Sequence, residues 1–185
     1  MGNIAKIQRE IMTRLHRKRI NVLWIEDGAA VEVPHLTSPL ITSGRYNLMI
    51  AKNATEGVRL LVDSEQEFDV VIFDLHLAPG DDTELIRRYQ ASAQRHDPDD
   101  SIGMSVLMDL FGPTDKARHK VAERPAWLTP NRVGLLTVEP GSNVTANLHT
   151  MGIDTNSYMQ KGAELPDTAL KDLVDRIYGR RSDTD

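Results

Sequence analysis

The chain of 185 residues contains no cysteine. It can therefore hold no disulfide, no thiolate metal site and no cysteine nucleophile, and it must fold on packing alone. It also lacks a run of about 18 apolar residues, which a membrane-spanning helix needs, and its N-terminus lacks the apolar segment of a secretion signal. We therefore expect a cytoplasmic protein with one core plus an appendage, and no membrane partner.

Charge is unevenly distributed along the chain. The whole sequence carries 22 Lys and Arg against 27 Asp and Glu, a net charge of -5. Residues 1–20 hold six of the basic residues and one acidic residue, so this leader is at +5 and the rest of the chain at -10. An acidic body argues against a broad nucleic-acid-binding face.

The leader has apolar residues at helical spacing. They are Ile4, Ile7, Ile11 and Leu15. This pattern predicts a basic amphipathic helix. We expect it to dock on the body or to self-associate, which would give a homodimer, rather than to bind nucleic acid.

Five short apolar segments, bounded by polar or turn residues, predict five strands. They are residues 21–25, 46–50, 69–73, 133–138 and 157–160. The first, third and fourth are apolar at nearly every position, which is typical of strands buried on both faces of a parallel sheet.

The segments between the strands space their apolar residues as helices that cover such a sheet do. They are residues 54–61, 83–93, 142–151 and 165–178. The first crossover, residues 29–43, contains Pro34 and Pro39, so its helix is expected to be shortened or displaced. The alternation predicts a doubly wound α/β fold with a five-stranded parallel sheet; the flavodoxin-like order 2-1-3-4-5 would make the first and third strands neighbours.

Polar residues collect where the predicted strands end. Glu26 and Asp27 follow the first strand, Asp74 follows the third, Thr137 lies near the end of the fourth, and Lys161 follows the fifth. In this fold class ligands bind beyond the carboxyl ends of the strands. Neighbouring carboxylates raise each other's pKa unless a cation neutralises them. Mg²⁺ prefers oxygen ligands and would fit such a cluster.

Four segments together resemble the signature segments of the response-regulator receiver domain. They are NVLWIEDG, DVVIFDLHLAPGDDTELI, LLTVE and SYMQKG. The resemblance covers residues 21–179 apart from an insertion. It implies that Asp74 is the phosphoacceptor and that Lys161 and Thr137 contact the phosphoryl oxygens. It also implies that Tyr158 is the aromatic switch residue, acting with Thr137.

The same resemblance implies a Mg²⁺ site formed by three carboxylates and one carbonyl. Its ligands would be Glu26, Asp27, Asp74 and the backbone carbonyl of His76. The sequence departs from the family pattern here, because Glu26 stands where Asp is more usual. Gly162 replaces the proline that usually follows the lysine, and the loop after Asp74 has its proline one place late, at Pro79.

The 63 positions that separate Asp74 from Thr137 are about twice what the family pattern allows. The surplus, near residues 98–130, predicts a helical insertion between the third helix and the fourth strand, packed at the sheet's edge. Its helix would start at a cap on Asp100 or Ser101 and stop at Gly112. Its apolar residues, such as Leu107 and Trp127, either extend the core or form a partner-binding or dimerisation surface.

These observations predict a leader (1–20), a receiver-like domain (21–179) and a C-terminal tail (180–185). The predicted function is a single-domain response regulator that accepts a phosphoryl group on Asp74 from a histidine kinase or phosphotransfer protein and signals to a downstream protein. Beyond its own phosphorylation and dephosphorylation it would not be an enzyme. One alternative is an interaction scaffold that is not phosphorylated. Another is a phosphatase or hydrolase, which His76 disfavours because a general acid is wanted two residues after Asp74.

Overall fold

The structure is a computed structural model that describes residues 19–28, 33–63, 65–95, 101–113 and 122–181. The predicted leader helix, up to residue 18, and the tail after residue 181 lie outside these ranges. None of the helices within them combines the length and the apolar character needed to cross a membrane.

Five parallel strands form one sheet in the order β2-β1-β3-β4-β5, which confirms the predicted order. The strands are β1 (Ile20–Ile25), β2 (Tyr46–Ala51), β3 (Val70–Phe73), β4 (Val133–Thr137) and β5 (Tyr158–Gln160). Ile25 at the end of β1 is level with Ala51 on β2 and Phe73 on β3. The segments that follow β1 and β3 therefore start side by side at one edge of the sheet.

Helices cover both faces of the sheet. They are α1 (Val33–Ser43), α2 (Ala54–Val62), α3 (Thr83–Arg95), α4 (Ile102–Phe111), α5 (Gly141–Thr150) and α6 (Ala169–Arg181). α1 has 11 residues, with Pro34 in its first turn and Pro39 inside it, so neither proline ends the helix. α6 begins four residues later than predicted, because Leu165 and Ala169 close turns onto Gly162 and Pro166 before the helix starts.

Alternate residues of each strand belong to two separate cores. Val22 and Trp24 pack with α1 and α6 on one face. Leu23, Ile25 and Phe73 pack with α2, α4 and α5 on the other. Burial on both faces explains why these strands read as continuous apolar runs.

The insertion helix α4 lies over the centre of the sheet. Ser101 caps it by accepting the Met104 N–H, and it ends at Gly112, as predicted. The Gly103 N–H donates to the carbonyl of Leu75, just beyond the central strand β3, at 2.9 Å. The predicted position at the sheet's edge was therefore wrong. A helix that is apolar on nearly every side must be surrounded, and an edge would leave one side in water.

α3 covers α4 from the outside. Most of the described side chains of α3 are exposed or half-buried. Arg88 of α3 joins the two helices, because its Nη1 donates to Asp109 Oδ2 and to Ser105 Oγ, both at 2.8 Å. Helix α4 is thus part of the main core, and α3 forms the surface above it.

Candidate functional site

Four of the predicted site residues are buried together at the carboxyl ends of the strands. Glu26, Asp74, Thr137 and Lys161 expose 1%, 4%, 0% and 9% of their surface. Hydrogen bonding between strands continues just past the strand ends, because the Asp74 N–H donates to the Ile25 carbonyl and the Lys161 N–H to the Thr137 carbonyl. This fixes the backbone from which the functional side chains extend.

Lys161 connects the two buried carboxylates. Its Nζ donates to Glu26 Oε2 at 2.5 Å and to Asp74 Oδ2 at 2.8 Å. Burial raises the pKa of Glu26 and the nearby Asp74 raises it further, although Lys161 opposes both effects. Burial would lower the pKa of Lys161, but the bonds to Asp74 and Glu26 outweigh it and the pKa is raised. Lys161 therefore stays charged at neutral pH.

The second oxygen of each carboxylate accepts a backbone N–H. Asp74 Oδ1 accepts from His76 at 3.1 Å, and Glu26 Oε1 accepts from Gly28 at 3.0 Å. Both side chains are thus held by two hydrogen bonds each. The extra methylene of Glu26, relative to the aspartate usual in the family, lets its carboxylate reach both Gly28 and Lys161.

Asp27 lies apart from this buried group. It is exposed, and its Oδ2 accepts the Ala78 N–H from the loop after β3 at 2.7 Å. Across the described ranges, no three His, Asp or Glu side chains converge as a metal-binding group. The carboxylate oxygens of Glu26, Asp27 and Asp74 are donors of the type that suits Mg²⁺. These residues supply donor atoms of the right type, and the Lys161 ammonium lies where two of the carboxylates meet.

The loop after Asp74, which departs most from the family pattern, is fastened to the N-terminus of α2. The first free N–H groups of that helix, on Ala54 and Thr55, donate to the carbonyls of Ala78 and Pro79. Gly80 has a φ of +83°, and a Cβ there would lie 2.5 Å from Asn53 Oδ1. The Pro79-Gly80 pair is the sequence signal for this turn.

Glu139 is a site residue that the sequence reasoning missed. Its Oε1 pairs with His76 Nε2 at 2.7 Å, and its N–H donates to Thr137 Oγ1 at 3.4 Å. Its backbone carbonyl accepts the Tyr158 hydroxyl at 2.5 Å. Burial, with the Glu139 charge, raises the pKa of Tyr158, so this hydroxyl keeps its proton. The only signal for Glu139 in the sequence is its place directly after a predicted strand.

Comparison with known proteins gives a fold match. No family model and no curated protein matches the sequence. The receiver domain of an HD-domain protein from Pseudomonas fluorescens Pf-5 is 19% identical, with a TM-score of 0.50 over 90% of this chain and 99% of that one. A bacteriophytochrome response regulator is 16% identical, with a TM-score of 0.51 over 88% and 94%. A CheY-like receiver protein from Methanospirillum hungatei JF-1 is 16% identical, with a TM-score of 0.50 over 90% and 99%. The chain has the receiver-domain fold that its sequence segments resemble.

Proposed function

We propose that this chain, with the fold of response-regulator receiver domains, is a response regulator that accepts a phosphoryl group on Asp74. The donor would be a histidine kinase or a phosphotransfer protein. One observation carries the proposal. Asp74, at the end of the central strand, is buried, and its Oδ2 lies 2.8 Å from the Lys161 ammonium. The buried Thr137, which carries a hydroxyl group, is the last residue of the next strand, β4.

In the proposed reaction, an Asp74 carboxylate oxygen attacks the phosphorus of a phosphohistidine. The bond from phosphorus to the imidazole nitrogen breaks, the electron pair stays on the imidazole, and an acyl phosphate forms on Asp74. Phosphoryl transfer needs in-line positioning and positive charge near the equatorial oxygens. Lys161 supplies charge, and Thr137, whose Oγ1 accepts the Glu139 N–H, has a hydroxyl hydrogen to donate.

The proposed site includes Mg²⁺, held by Glu26, Asp27, Asp74 and the carbonyl of His76. When bound, the ion supplies positive charge to the phosphoryl oxygens. Asp27, exposed at the rim, and the Lys161 ammonium, between the other two carboxylates, are the groups that the ion must bind or displace. The chain's own chemistry would be limited to accepting and losing this phosphoryl group.

The proposal is tested by phosphorylation of the whole protein with Mg²⁺ and a small phosphodonor such as acetyl phosphate. Intact mass should increase by one phosphoryl group in the wild type and in D81A, and not in D74A. Asp81 is a matched control because it lies in the same loop and its side chain is 72% exposed. Labelling of D74A as strong as that of the wild type would contradict the proposal.

A second prediction concerns the output of the site, which would pass to a downstream protein. The Tyr158 hydroxyl, Glu139 and Thr137 form one connected group of hydrogen bonds. Phosphoryl oxygens that draw in the Thr137 hydroxyl should therefore disturb Tyr158. We expect beryllofluoride with Mg²⁺ to shift the Tyr158 ring resonances in the wild type and not in D74A. Unchanged Tyr158 resonances in the beryllofluoride-bound wild type would rule out this switch.

The alternative is an interaction scaffold that is never phosphorylated. One observation favours it: Lys161 by itself already bridges Glu26 and Asp74. The intact-mass experiment distinguishes the two functions, because a scaffold would take up no phosphoryl group on Asp74 at any concentration of acetyl phosphate.

A further inference from the structure

The first turn of α4 contacts the backbone that carries Asp74. Gly103 is the second residue of α4, and its N–H donates to the Leu75 carbonyl at 2.9 Å. A Cβ built on Gly103 would lie 2.2 Å from the Asp74 carbonyl oxygen and 2.7 Å from Leu75 Cα. Both are backbone atoms that cannot rotate away. Glycine is therefore the one residue that allows this approach without a shift of the loop or the helix.

The position of α4 is fixed from several sides. Its first turn is capped by Ser101, and Leu107 shares a core with Leu75 of residues 74–82, the acceptor loop. On the outer side, Arg88 of α3 donates to Asp109 of α4. Because α4 is held in this way, its first turn is a rigid surface against which the acceptor loop packs.

Asp74 is thus held between two elements. Its N–H donates to the Ile25 carbonyl of β1, while its own carbonyl faces Gly103 of α4. The side chain then reaches Lys161 at 2.8 Å. A shift of the peptide after Asp74 would change this distance directly, because only the Cα and Cβ atoms separate that peptide from the carboxyl group.

We infer that α4 is a positioning element for the phosphoacceptor and that Gly103 is its positioning residue. The insertion thereby becomes part of the working site rather than only added core. This inference rests on the proposed function, since the reaction it tunes is phosphoryl transfer to Asp74. A misplacement of about 1 Å can cost about a hundredfold in rate, and the Cβ of alanine demands a movement of that size.

The test compares G103A with two controls in the full chain. L110A removes a buried side chain at the far end of the same helix, about 10 Å along its axis. G179A adds a methyl group to a helical glycine with no atom within 4 Å of its Cβ. The measurements are the phosphorylation rate constant at saturating acetyl phosphate with Mg²⁺, and the backbone amide shifts of residues 74–77 in the unphosphorylated protein.

G103A is expected to lower the saturated rate constant about tenfold or more and to shift the amides of residues 74–77. L110A is expected to lower thermal stability while both readouts stay near the wild type, and G179A should leave both readouts unchanged. A wild-type rate in G103A, with unmoved amide shifts, would overturn the inference. If the wild type itself takes up no phosphoryl group, the proposed function fails, and the amide shifts alone decide whether Gly103 positions the loop.

A second variant covers the case in which G103A does not fold. S101A keeps Gly103 and removes the cap of the first turn. It should speed hydrogen exchange of the Gly103 amide about fivefold, the size of effect that loss of a serine cap has on a helix. Phosphorylation should slow about twofold or more. Unchanged exchange and an unchanged rate in S101A would also overturn the inference.

Discussion

Replacing Lys161 by methionine is expected to lower the free energy of unfolding by about 3 kcal/mol at pH 7, because it removes the ammonium from two buried carboxylates. Lys161 donates to both Glu26 and Asp74, and its side chain is only 7% exposed. Methionine fills similar space and carries no charge. Urea unfolding of the two proteins measures the difference.

The matched control is K171M. Lys171 also pairs with a carboxylate, Asp175, at 2.7 Å, but its side chain is 31% exposed. Exposed pairs of this kind contribute less than about 1 kcal/mol. The double variant E26Q/K161M removes one of the two charges left behind and should recover part of the lost stability. Equal losses in K161M and K171M would contradict the burial argument.

The pH dependence of the K161M effect has a definite sign. The raised pKa of Lys161 means that the folded state holds this proton more tightly than the unfolded chain does. Its contribution is complete below pH 10.5, the ordinary value, and is lost as the pH rises through the raised pKa. The stability gap between wild type and K161M should therefore close above pH 10.5.

At acid pH the pKa of Glu26, raised above 4.5, predicts that the stability gap between wild type and K161M grows as the pH rises. Its ionisation in the folded state costs stability as the pH rises through that pKa, and Lys161 offsets this cost in the wild type. The gap between the two proteins should consequently widen from pH 4.5 towards neutrality. A gap that stays constant over this range would show that Glu26 and Lys161 are not coupled.

K161M should also slow phosphorylation of Asp74 by about 10² to 10³, the loss seen when one preorganised donor is removed from a site of this kind. The rate is measured with the same phosphodonor as for D74A. Because D74A removes the nucleophile and K161M only the charge beside it, K161M should keep a small residual rate.

Periodicity was sufficient for the strands and most helices, because burial on two faces leaves a direct trace in the sequence. Examples are the run of apolar residues in β3 and the four-residue spacing of Val144 and Leu148 in α5. The predicted strand ends also indicated which polar residues would lie together at the edge of the sheet. Asp74 and Lys161 come together because parallel strands end at one edge.

Long-range contacts left no such trace. The sequence of α4 predicts an apolar helix, but it does not indicate whether that helix packs on the centre of the sheet or at its edge. The decisive contact, Gly103 against the Asp74 carbonyl, joins residues far apart in the chain. The pairing of His76 with Glu139 is of the same kind, since each residue alone reads as a surface side chain.

Deleting residues 98–129 is expected to leave a chain that does not fold. The deletion removes five apolar side chains of α4 that are less than a tenth exposed, and those side chains are Ile102, Met104, Val106, Leu107 and Leu110. Their burial contributes about 10 kcal/mol together, at roughly 2 kcal/mol each. That is comparable to the whole stability of a domain, about 5 to 15 kcal/mol. The deletion would also uncover Leu75 beside the acceptor loop.

Circular dichroism and thermal unfolding measure this directly. Two point variants separate core from surface: L107A, at 0% exposure, should cost about 3 kcal/mol, and Y89A on the 50% exposed surface of α3 less than about 0.5 kcal/mol. A deletion variant that unfolds cooperatively near the wild-type temperature would show that the segment is dispensable for the core. Loss of a partner by that folded variant would then favour the partner-binding surface. The burial of α4 predicts the opposite, because a helix enclosed by the sheet, α2 and α3 has little surface left to offer a partner.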